Sequence, residues 1–149
     1  MAEVSIAFRL PVERAKIREF ALAVGEGNPI FFDAEAARRA GYSDIVAPPT
    51  FSVTQMWRLS REEREERLGA NLDYARVLHA EQEFVYNRLP VAGETLDATM
   101  RISKDVTKQG RRGGELRFVT YESRFDDAAG EEVLRALYTL VQTSKDPRE

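Results

Sequence analysis

Apolar residues recur with two different periods along this chain, one in each half. In the first half Ile17, Phe20, Ala21 and Val24 stand at i, i+3, i+4 and i+7, which places them on one face of a helix. Pro11 suits the first turn of that helix, where its missing N–H costs nothing, and Gly25 supplies a stop. Ahead of it, Ser5 to Leu10 reads as a short, edge-like strand. Asp33 is the expected N-cap of a short Ala-rich helix from Ala34 to Ala40, ended by Gly41. After the break at Ala47-Pro48-Pro49-Thr50, Thr50 is placed to cap a third helix. Its buried side is expected to carry Phe51, Thr54 and Trp57, or Val53, Met56 and Trp57. The mixed charges from Arg61 to Arg67 read as a solvated face.

The second half changes to a period of two. Glu81 to Leu89, Thr95 to Val106, Gly114 to Phe125 and Glu132 to Gln142 are predicted strands, separated by Gly- and Pro-containing turns. Val119, Tyr121, Ser123 and Phe125 alternate with Thr120, Glu122 and Arg124. The last strand is fairly apolar on both faces, so one face is expected to meet a helix and the other a partner surface. Helices followed by a run of long strands predict an α+β domain with a mostly antiparallel sheet. The 149 residues fit one such domain, with no linker or repeat to divide residues 1–149.

Composition narrows the chemistry. The net charge of −3 lacks the positive field that bulk nucleic-acid binding needs. With no Cys and one His, disulfides and thiolate chemistry are excluded, and no metal site or cofactor is expected. No apolar run reaches bilayer length and the N-terminus lacks a signal-peptide pattern, so no membrane partner and a cytoplasmic location are expected.

Three blocks, in order, carry a resemblance. The first runs from Phe20 through Gly25-Glu26-Gly27-Asn28-Pro29-Ile30-Phe31-Phe32-Asp33. The second is Ala36 to Tyr42, continuing into Ile45-Val46-Ala47-Pro48-Pro49-Thr50-Phe51. The third is Val77 to Phe84, followed by Arg88-Leu89-Pro90 and Gly93-Glu94-Thr95-Leu96. Together they resemble the MaoC-like, or (3R)-hydroxyacyl-thioester dehydratase, family across nearly the whole chain. The chain is most similar to N-terminal dehydratase domains and to subunits that pair with a catalytic partner. The resemblance implies a hot-dog fold, a long central helix wrapped by an antiparallel sheet. It further implies a homodimer or a heterodimer with a catalytic subunit, and an acyl-CoA or acyl-carrier-protein thioester in a tunnel at the interface.

Dehydrating a β-hydroxyacyl thioester removes an α-proton and protonates the departing hydroxyl, which takes two proton-handling groups. An N–H donor to the thioester carbonyl stabilises the developing enolate charge. The family signature supplies an Asp and a His five residues apart; here those positions hold Glu26 and Phe31. Glu26 keeps a carboxylate on a longer stem, whereas Phe31 and its neighbour Phe32 move no proton. Where the family often carries His-Gly as oxyanion donor, Pro48-Pro49 stand, and proline has no N–H. That leaves the Thr50 amide as the candidate donor.

The resemblance therefore implies a dehydratase subunit that forms the acyl tunnel and lacks the catalytic His. Asn28, Phe31, Phe32, Pro49 and Thr50 are the candidate substrate contacts. Arg111 and Arg112, grouped with Lys104 and Lys108 around one hairpin, are a candidate landing patch for carrier protein or coenzyme phosphates. Two alternatives stay open. One is an active homo-oligomeric hydratase using Glu26 with His79, the only histidine. The other is an acyl-binding or thioesterase protein of the same fold.

Overall fold

A computed structural model describes residues 4–111 and 114–144. Five antiparallel strands form one sheet: β1 (Ser5–Pro11), β2 (Val77–Tyr86), β3 (Thr95–Gln109), β4 (Glu115–Asp126) and β5 (Glu132–Thr143). Their spatial order is β1-β3-β4-β5-β2, so β1 and β2 are the edges. Helices α1 (Arg14–Ala23), α2 (Ala34–Arg39) and α3 (Arg61–Leu68) precede most of the sheet. Three short 3-10 helices lie among them, at Pro29–Phe31, Phe51–Trp57 and Tyr74–Arg76.

The strands follow the alternation read from the sequence. Val119, Tyr121, Ser123 and Phe125 of β4 are buried beside Leu134, Ala136 and Tyr138 of β5. Against this face pack Ile17 of α1, Ala37 of α2 and Phe51, all within one core cluster. Fully burying a side chain such as Ile17 contributes roughly 1.5–3 kcal/mol, which outweighs the weak intrinsic preference of a ten-residue helix. The T-shaped contact between Phe20 and Phe51, 5.7 Å between centroids, joins α1 to the 3-10 segment. On the opposite face Thr120 and Thr139 bond to each other at 2.9 Å, both nearly sealed from solvent.

The helical layer departs from expectation in several places. Pro11 closes β1 instead of opening α1, which begins three residues later at Arg14 with Glu13 at its N-cap. Val24, expected on the buried stripe, is 50% exposed because the helix has already ended at Ala23 and Val24 turns away from it. The third helix is a 3-10 helix, Phe51–Trp57, and the Thr50 side chain does not cap it. With three residues per turn instead of 3.6, its buried positions become Phe51, Ser52 and Gln55, and Trp57 swings outward to 87% exposure. The α+β layout holds, but the helical layer consists of short pieces, the longest α-helix having ten residues. α2 starts as predicted, with the Asp33 carboxylate accepting from the Glu35 and Ala36 amides at 2.7 and 3.0 Å.

Candidate functional site

The chain leaves α1 through Gly25, whose φ of +75° is the left-handed turn that favours glycine. The Glu26 amide then donates back to Ala21 at 2.9 Å, and Glu26 is half-buried. The Asn28 side chain caps the following 3-10 turn by accepting from the Ile30 amide at 3.2 Å. That turn drives Phe31 inward to 5% exposure, in a small cluster with Ala21 and Val46 that Leu89 and Val91 also touch. The half-buried Phe32 adjoins the same cluster, and its carbonyl accepts from the Arg18 guanidinium at 2.9 and 3.1 Å. The Asp33 carboxyl sits below its ordinary range because the amides of Ala36 and Glu35 donate to it. Ala21, Phe31 and Phe32 therefore form an apolar floor, in a segment whose two carboxylates are Glu26 and the capping Asp33.

The other predicted site residues lie apart from this floor. Pro49 and Thr50 are exposed, ahead of the 3-10 helix. His79 is exposed near the start of β2, and its ring lies parallel to Tyr138 with centroids 6.4 Å apart. The Phe31 cluster touches residues beyond the far end of that strand. At about 3.3 Å per residue, the seven steps from His79 to Tyr86 alone span about 23 Å. Within one chain the structure does not bring Glu26 and His79 together. Arg111 is exposed at the β3–β4 turn, and Lys108 of the same hairpin lies 5.7 Å from the Phe118 ring. Arg112 lies outside the described residues.

Elsewhere again lies a groove of about 570 Å³, between the end of β1, α1 and the 3-10 helix Phe51–Trp57. Leu10, Pro11, Phe20, Ala23, Val53 and Trp57 supply its apolar wall, and Lys16, Arg58, Glu13 and Glu19 add charge. Lys16 stands 5.5 Å from the Trp57 ring and bonds Glu19 at 3.0 Å. Lys16, Glu19, Phe20 and Ala23 are one face of α1, continued by the N-cap Glu13, while Ile17 and Ala21 on another face meet the core and the Phe31 cluster. One short helix thus separates groove from signature. The volume is that of a small-molecule pocket. The sequence pattern does not reveal this groove, because a regular helical period puts Trp57 on a buried side. A clue was available in Phe20 and Ala23, which form an apolar stripe offset from Ile17 and Ala21.

Residues 2–136 match the family described as FAS1-like, dehydratase domain region. The chain belongs to this family. Its relatives include a UPF0336 protein of Leifsonia xyli subsp. xyli, 47% identical over 131 residues that cover 87% of this chain and 83% of that protein. A second, from Clavibacter michiganensis subsp. michiganensis, is 43% identical over 91% of this chain and 87% of its own length. Among solved structures, the truncated HadBC (3R-hydroxyacyl-ACP dehydratase) complex of Mycobacterium tuberculosis superposes with a TM-score of 0.76. It is 26% identical, covering 95% of this chain and 98% of that one. A MaoC-like dehydratase superposes at 0.79 with 31% identity over 97% of this chain, which spans 43% of that longer protein. These likenesses identify this dehydratase-domain protein as a MaoC-like hot-dog fold of hydratase type. Among its described residues no helix is long and apolar enough to cross a membrane.

Proposed function

We propose that this dehydratase-domain chain is a subunit of a (3R)-hydroxyacyl-thioester dehydratase that holds the acyl chain while a partner supplies the proton-transfer pair. The observation that carries this reading is the burial of Phe31 in an apolar cluster, at the position where the family signature places its histidine. An imidazole there would move protons; a phenyl ring packs against Ala21 and Val46. The carboxylate of Glu26 remains available to orient a water, but one carboxylate without a second proton-handling group leaves half of the elimination undone. The groove beside α1 supports the binding half, since its apolar wall suits an alkyl chain. Pro49 and Thr50, just ahead of the 3-10 helix that lines the groove, are assigned to the thioester end, whereas Asn28 and Phe32 stand with the Phe31 cluster, across α1 from the groove. Arg111 and Arg112 serve the anionic carrier, whether coenzyme A or carrier protein. The solved heteromeric relative favours a dimeric assembly with a catalytic subunit.

The test uses the purified chain and trans-2-enoyl-CoA thioesters of increasing length. Trp57 is the only tryptophan and lines the groove, so its fluorescence reports occupancy directly. The expected result is an emission change that grows with chain length and is absent with free coenzyme A, without loss of the conjugated enoyl absorbance. Turnover by the isolated chain that disappears in Glu26→Ala or His79→Ala would overturn the proposal in favour of an active hydratase. Release of free thiol would instead indicate a thioesterase.

A further inference from the structure

We infer that the helix-free outer face of the sheet binds a second copy of this chain, stacked face to face about a two-fold axis that runs along the strands between β4 and β5. The inference goes beyond the proposed catalytic role, since neither the groove nor the β2 edge takes part.

The inner face of the sheet is covered by the helical layer, and its side chains fill the core clusters. The outer face carries a second set of apolar side chains. The strand registers place them in rows across four strands. Val106, Phe118, Val141 and Leu78, from β3, β4, β5 and β2, form one row. The next row is Lys104, Thr120, Thr139 and Glu81, and the one beyond it is Arg101, Glu122, Leu137 and Glu83. The bulges at Ser103 and Ala80 are absorbed in these pairings. Arg101 and Lys104 stand three residues apart on this one face, and so do Leu78 and Glu81. Leu78 is 48% exposed, and Val106, Phe118 and Val141 are partly exposed. Among the described residues, none of these four joins a core cluster. An apolar strip on an open face, rimmed by charge, is the composition of a contact surface.

Charge selects what covers it. Lys104 and Glu81 are exposed at opposite ends of one row, and among the described residues neither forms an ion pair. Each row spans four strands and has its centre between β4 and β5. A two-fold axis along the strands at that centre turns every row end for end. Lys104 of each copy then stands over Glu81 of the other, and Arg101 over Glu83. Thr120 comes over Thr139, Phe118 over Val141 and Val106 over Leu78. An axis laid across the Lys104 row instead puts Lys104 over Lys104 and Glu81 over Glu81. The face is therefore its own complement about the first axis and repels itself about the second. Aligned sheets stack about 10 Å apart, a gap that a lysine and a glutamate close by reaching toward each other. The row ends lie about 7 Å from the axis, so the usual offset of about 30° between stacked sheets displaces them by only about 4 Å. Four strands by about 20 Å of their length give a footprint of about 400 Å² per copy, the size of a weak, concentration-dependent contact.

The experiment needs no acyl ligand, so its outcome is independent of whether the groove binds thioesters. Sedimentation equilibrium at low ionic strength, up to about 1 mM chain, compares the wild type, Lys104→Glu, Glu81→Lys and a one-to-one mixture of the two variants. Both substitutions are at exposed positions. In either variant alone, both cross-contacts become like-charged, and self-association is expected to weaken about tenfold. In the mixture each new glutamate meets a new lysine, and each remaining lysine meets a remaining glutamate. Association is therefore expected to return to the wild-type level, which a misfolded variant could not produce. A wild type that self-associates without loss in either variant would overturn the inference, because a dimer formed through the β2 edge does not involve Lys104. A mixture no tighter than its components would also overturn it. So would a wild type that stays monomeric throughout, which leaves the face to a different partner.

Discussion

Single residues carry opposite messages at two buried positions of this domain. Phe31 is packed against Ala21 and Val46, so its contribution is volume and exclusion of water. Thr120 and Thr139, in contrast, are polar groups made safe by each other at 2.9 Å. Removing one partner leaves the other's hydroxyl without a protein partner, which costs about 1–3 kcal/mol, whereas replacing both is nearly neutral. Thr139→Val is therefore expected to lower the urea midpoint, and Thr120→Val/Thr139→Val to recover most of the loss. A double variant no better than the single would show that the pair is not the source of the effect.

At the scale of elements, α3 differs from its neighbours by docking through a carboxylate. Its sequence, Arg61 to Leu68, contains no fully buried residue. The Ser60–Glu63 capping box starts it, and Gly69, at a φ of +71°, ends it. Glu65 then accepts from the Tyr74 and Tyr121 hydroxyls at 2.8 and 3.1 Å and from the Leu72 amide at 3.3 Å. Tyr121 is fully buried and stacks on Tyr138 at 4.9 Å, so the charged helix is tied to the centre of the sheet. Glu65→Ala is expected to cost about 1–3 kcal/mol by orphaning the Tyr121 hydroxyl. It should also speed amide exchange through α3. Adding Tyr121→Phe should restore part of the stability but not the slow exchange. The 3-10 segment Phe51–Trp57 shows the same principle in reverse: its period moves Trp57 from the core to the groove. Residues in both segments matched the family or charge pattern of the sequence, but which side they turned was set by partners far away in the chain.

Across the whole molecule, the tyrosines impose an alkaline limit. Burial pushes Tyr86 up to about 12 from 10.0. Burial, followed by the bond to Glu65, does the same for Tyr74. Tyr121 and Tyr138 are raised further by burial. A folded-state pKa above the unfolded value means that the native protein holds protons the unfolded chain has released. Their contribution is complete below about pH 10 and is lost as the pH climbs toward 12. Urea midpoints at fixed ionic strength should fall between about pH 9 and about pH 11.5; a flat profile would contradict this burial.

The sequence by itself determined the strand faces, the Asp33 cap and the family. Each depends on residues close together in the chain: a period of two decides which side of a strand is apolar, and a cap reaches only the next turn. The assignment of Glu26 and Phe31 as substituted signature positions rests on the family resemblance and belongs to the proposed function. Only the tertiary structure decided where the helices stop, that Trp57 faces a groove, and that α1 stands between that groove and Phe31. It alone separated His79 from Glu26 along the length of β2 and left that strand at the sheet's edge with Glu81 and Glu83 exposed. These outcomes follow from packing between segments dozens of residues apart, where the geometry of one surface selects the conformation of another, and no local pattern encodes that choice.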